Sequence, residues 1–120
     1  MISLRLRLHP GGCLAGFTAS GHAGAGAKGE DIVCAAVTVL LRTAARLLAG
    51  EPSLRAAGGT PERGLMRLSL EPPPEGKREW VRGVTDALLR GLADLEAEYP
   101  GRLKMRIDGP TQEERTEHGT

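Results

Sequence analysis

The chain has 120 residues and 12.7 kDa, which suits one domain with a real core and is too short for two. Hydrophobic residues at 40% and charged residues at 26% exclude a disordered chain. Sixteen Lys and Arg against fifteen Asp and Glu give no overall case for a polyanion partner, and 2% aromatics supply little for base stacking.

The first element is a strand over Ile2–Leu8, because Ile2, Leu4, Leu6 and Leu8 alternate with Ser3, Arg5 and Arg7. This alternation is also unlike the continuous apolar stretch of a signal peptide, so a cytoplasmic protein is expected. Pro10-Gly11-Gly12 predicts a turn into a second strand, Cys13 to Ser20. Gly21 to Gly29 is a glycine-rich loop. A helix buried over a wide stripe follows, with Ile32, Val33, Ala36, Val37, Leu40, Leu41, Ala44, Leu47 and Leu48 at helical spacing and Gly50 as its stop. No run is expected to be long and apolar enough for a membrane. Residues 51–64 are rich in turn formers, with a short strand near Ser53 to Ala57. Leu65 to Leu70 is a strand that Pro72-Pro73-Pro74 breaks. Trp80, Val84, Ala87, Leu88, Leu92 and Leu95 set a second helix from Glu75 to Tyr99, ended by Pro100-Gly101. Leu103, Met105 and Ile107 alternate with Lys104, Arg106 and Asp108 in a last strand. The tail from Gly109 to Thr120 is nearly devoid of apolar residues and is expected to be flexible.

The order is therefore β-β-α-β-β-α-β. It predicts one α+β domain over residues 1–108, a single sheet with both helices on one face.

Two cysteines, Cys13 and Cys34, make no disulfide framework, and three scattered histidines with no paired cysteine motif make no zinc site. No metal or cofactor is expected. Cys13, in a strand, has the setting of a buried structural thiol. His9, in a turn, and His118, in the tail, are expected to face solvent. Trp80 and Tyr99 fit the apolar helix stripe, as core or interface.

Cys34 is different. Asp31 is a good N-cap, which would place Cys34 third in the helix, inside the first turn. Free amides and the helix dipole favour an anion there, and the thiolate is the nucleophilic form. The same amides could hold an oxyanion. His22, at the end of the second strand, could fold back as the base. Residues 23–29, with Gly24, Gly26 and Gly29, hold no large apolar anchor. They are expected to be mobile and to close over a substrate. A buried inert cysteine is the competing reading from spacing alone.

The segment Gly21-His22-Ala23-Gly24, then Gly29-Glu30-Asp31-Ile32-Val33-Cys34-Ala35-Ala36-Val37, resembles the signature of the ribosomal-processing cysteine protease family, Prp. Glu98-Tyr99-Pro100, the chain length and the element order resemble it too. The resemblance implies a bacterial endopeptidase that removes an N-terminal extension from the twenty-seventh protein of the large ribosomal subunit. By matched position it implies Cys34 as nucleophile, His22 as base and a motif role for Asp31. It also implies a homodimer. Where family members often carry loop aromatics this chain has Ala25 and Ala27, and Thr38 stands where serine is usual.

The second hypothesis is a non-catalytic ribosome- or RNA-associated module. Arg5, Arg7, Arg67, Arg102, Lys104 and Arg106 occupy polar strand positions and could share one sheet face. Without aromatics to stack bases, direct nucleic-acid binding is not the expectation.

Overall fold

The computed structural model describes residues 1–21, 28–62 and 64–109, with backbone only at 28–31 and 62. The strands are β1 (Ile2–Leu8), β2 (Leu14–Ser20), β3 (Ala57–Glu62), β4 (Leu65–Ser69) and β5 (Leu103–Asp108). The long helices are α1 (Lys28–Ala49) and α2 (Arg78–Glu98). Their order is the expected β-β-α-β-β-α-β.

The five strands form one sheet in the order β3-β4-β2-β1-β5. β1 pairs antiparallel with β2 and parallel with β5, while β4 runs antiparallel to both β2 and β3. The tip of the β1–β2 hairpin is closed by the His9 amide on the Cys13 carbonyl (2.8 Å) and the Gly12 amide on the His9 carbonyl (3.0 Å). At Gly12, φ is +89° and a side chain would strike the Arg82 guanidinium, which donates to the Gly11 carbonyl at 2.7 Å. The turn is thus tied to α2.

Strand alternation sends one face of every long strand into a common core. Ile2, Leu4, Leu6, Phe17, Ala19, Leu68 and Leu103 meet Val33, Val37, Leu41, Ala44 and Leu48 from α1 and Val81, Leu88 and Leu92 from α2. These spacings of three and four are the inward seams of two helices lying on the same sheet face. Among the described residues no helix lies on the opposite sheet face.

Three expectations change. The strand near Ser53 to Ala57 is instead a 3₁₀ turn over Pro52–Leu54, and the strand begins at Ala57. Glu51 causes this: its carboxylate accepts from the Ser53 amide (3.2 Å) and hydroxyl (2.8 Å), and Pro52 starts the turn with φ already set. Those Ser53 contacts and Lys77 hold the Glu51 carboxyl below its ordinary range. The helix expected from Glu75 starts with a 3₁₀ turn over Glu75–Lys77, and α2 proper begins at Arg78. The third concerns α1. Ile32–Ala49 is long and apolar enough, by length and composition, to cross a membrane, contrary to expectation. Here its inward seam packs on the sheet, and Arg42 and Arg46 lie within it. Only 28% of that stretch is buried, so one face of the helix belongs to the core and the rest is left open. The wide stripe exceeds what the sheet covers, so Ile32, Val39 and Leu47 are exposed.

Candidate active site

Helix α1 starts at Lys28, three residues before the expected cap. Asp31 is therefore its fourth residue and not an N-cap, and Gly29 is its second and not part of the loop. Cys34 is the seventh residue, in the second turn, and Thr38 is the eleventh, well past the helix start. Acidic residues are favoured both as caps and inside the first turn, so Glu30-Asp31 marks a helix start without fixing which residue begins it.

This shift changes the chemistry open to Cys34. The amides left without helix partners belong to residues 28–31. The Cys34 amide instead bonds the carbonyl four residues back, so it is no oxyanion donor. The dipole effect fades within the first turn, so it reaches Cys34 weakly.

Cys34 itself is half-buried and packs against the core edge, which leaves part of its side chain open to a reactant. Thr38 does not address the thiol: its hydroxyl donates to the Cys34 carbonyl at 2.7 Å. Ahead of the helix, β2 runs to Ser20 and Gly21 turns the chain. Gly21 has φ +82°, its amide donates to the Gly64 carbonyl at 3.1 Å, and the Met1 carbonyl stands where a Cβ would go. Only glycine fits there. His22, Gly24 and Gly26 lie outside the described residues. So do His118 and the tail from 110 onward.

Cys13 is the contrast. It is 2% exposed, and its thiol donates to the Arg78 carbonyl at 3.5 Å. Burial pushes this thiol up, against smaller opposing effects of Arg78 and Arg82. That is a structural cysteine. His9 departs from the solvated reading: it is partly buried, with Nε2 2.9 Å from the Leu70 carbonyl. Among the described residues, no group of three or more His, Cys, Asp or Glu could hold a metal ion.

Tyr99 packs on the core as expected, whereas Trp80 is 43% exposed. It lines an apolar groove of about 480 Å³ between the helices, with Leu40, Leu47, Val84 and Ala87. Sequence periodicity offered Trp80 as core or interface. It could not show that the neighbouring α1 positions were left uncovered.

A half-buried thiol carried on the first helix of a small α+β sheet domain is the candidate nucleophile. The family described as cysteine protease Prp matches residues 1–104, and the chain belongs to it; the protein is a cysteine protease. A search of the curated proteins found no match. Among solved structures, the chain is similar to SMU.848 from Streptococcus mutans, with a TM-score of 0.72 and 27% identity over 92% of this chain and 96% of that one. It is also similar in fold to an essential ribosomal processing protease Prp from S. aureus in complex with a substrate peptide (TM-score 0.74, 20% identity, 90% of this chain and all of that one). The same S. aureus protease with a covalently linked product peptide gives a TM-score of 0.70 at 21% identity, over 90% of this chain and 100% of that one.

Proposed function

We propose that the protein is a cytoplasmic endopeptidase that removes the N-terminal extension of the twenty-seventh protein of the large ribosomal subunit. The observation that carries this reading is the family match across residues 1–104, which includes the whole Gly21–Val37 motif with its half-buried Cys34. The S. aureus protein of the same fold is a ribosomal processing protease seen with a substrate peptide and with a covalently linked product peptide.

In this mechanism His22 takes the Cys34 proton, and the sulfur attacks the scissile carbonyl carbon. His22 returns the proton to the leaving amine as the peptide bond breaks, leaving a thioester on Cys34. Water, deprotonated by His22, then attacks the thioester and releases the acid and the thiol. The balance needs no metal or cofactor. Asp31 completes the set of motif residues by matched position, one helical turn ahead of Cys34. The active form is a homodimer, for which the exposed apolar face of α1 and the Trp80 groove offer a surface.

The test is incubation with the host's ribosomal protein and mass measurement of the product. Cys34→Ser and Cys34→Ala should abolish cleavage with the fold intact, and Cys13→Ala should keep most of it. His22→Ala should lower turnover by roughly a hundredfold or more, the scale of a positioned base, with little effect on peptide binding. Cleavage by Cys34→Ala at the wild-type rate would overturn the assignment.

A further inference from the structure

The sheet face without helices is a cationic surface. Register fixes its composition. Arg106 lies beside Arg5, Arg5 beside Thr18, and Thr18 beside Arg67, so one row crosses β5, β1, β2 and β4. The next row sets Lys104 beside Ser3 and Ser3 beside Ser20, and the row on the other side sets Asp108 beside Arg7 and Arg7 beside Gly16. Arg5, Arg7, Lys104 and Arg106 line an open trough of about 510 Å³ with Ser3, Thr18 and Ser20. Arg102 lies in the turn ahead of β5, off this face.

Five cations therefore share a face with few carboxylates. Among the described side chains Asp108 is one, held by Arg5 Nε (2.6 Å) and Arg106 Nε (3.0 Å). Arg7 reaches across β2 toward the Leu68 carbonyl (3.4 Å). Asp108 bridges Arg5 and Arg106 and offsets one of their two charges, which leaves Arg7, Arg67 and Lys104 to add to the positive character of the face. The whole-chain charge balance hides this segregation: α2 carries five acidic residues against three basic ones, on the other layer.

We propose that this face binds the phosphate backbone of folded RNA, as a contact surface separate from the Cys34 site. Its chemistry is arginine and lysine around a floor of serine and threonine hydroxyls, the donors that contact phosphate and sugar. It lacks the aromatic or aliphatic centre that anchors a protein partner. With no aromatics it cannot stack bases either, so binding is to backbone and independent of sequence. Choosing RNA over DNA rests on the ribosomal reading above, because a protease acting on a ribosomal protein during assembly works beside that polymer.

The experiment is fluorescence polarisation of a labelled RNA hairpin against the full chain over a salt series, with a DNA duplex of matched sequence alongside. Peptide cleavage is measured in parallel. Each neutralised phosphate contributes about 0.7–0.9 to the slope of log K on log salt, so three to four contacts predict a slope near −3. Arg67→Gln with Lys104→Gln should weaken RNA binding tenfold or more and flatten the slope by about 2. Thr18→Glu, which sets a carboxylate between Arg5 and Arg67, should do the same. Both should leave peptide cleavage at the wild-type rate. Salt-insensitive binding, equal binding by these variants, or tighter binding of the DNA would overturn the proposal. Because the RNA readout does not depend on cleavage, it can fail while the protease assignment stands, and the reverse.

Discussion

Thr85 shows how much one side chain can decide. It is fully buried on α2, where its hydroxyl accepts from the Leu14 amide at 2.9 Å and donates to the Val81 carbonyl at 2.8 Å. Leu14 opens β2 just after the turn, so its amide would otherwise be a buried donor without a partner. Thr85→Val keeps the shape and removes the acceptor. It should cost about 1–3 kcal/mol, the penalty for a stranded buried amide, and Thr85→Ser should cost less. Thermal or urea unfolding would check this; an unchanged midpoint for Thr85→Val would mean water replaces the hydroxyl. Nothing in the helical pattern distinguishes Thr85 from a solvated threonine, because its partner lies 71 residues away in sequence. The family, by contrast, was legible from the motif around Cys34.

Two glycines on α2 separate propensity from packing. A Cβ at Gly83 would meet nothing within 4 Å, whereas one at Gly91 would come within 3.1 Å and 3.2 Å of the Leu40 methyls on α1. Gly83→Ala should therefore stabilise by about 0.5–1 kcal/mol through helix propensity alone. Gly91→Ala should gain less, and Gly91→Leu should lose about 1–3 kcal/mol by forcing the helices apart. Unfolding curves for the three variants test the order, and equal effects at both positions would rule out a close crossing at Gly91. The same distinction explains the helix starts. Periodicity located α1 and α2 because their seams repeat every three or four residues. It misplaced the first residue of α1 because Glu30 and Asp31 suit either side of a helix boundary.

At the scale of the molecule, two surfaces are left over once the core is closed. One is apolar, on the outside of α1 and around Trp80. The proposed homodimer would cover it, and a stable interface buries roughly 800 Å² on each partner. Trp80→Glu together with Leu47→Glu should convert a dimer to a monomer in sedimentation equilibrium, with the fold kept because both side chains are exposed. A monomeric wild-type protein at tens of micromolar would remove the dimer from the reading. The other surface is the cationic sheet face. Its residues are scattered over four strands from position 5 to 106, and only the β3-β4-β2-β1-β5 order makes them neighbours.

Local pattern was enough for four of the five strands in outline, the two helices, the shared apolar face and the protease family. Each of these depends on residues a few positions apart, where alternation, helical spacing and a contiguous motif act directly on the backbone. Tertiary structure decided what depends on distant partners. It set the order in which strands lie side by side, and it left Ile32, Val39, Leu47 and Trp80 outside the core. It set a half-buried His9 against the Leu70 carbonyl and closed Thr85 onto Leu14. It also moved Cys34 out of the first turn, because a helix begins where the chain's contacts allow and not where the first capping residue permits.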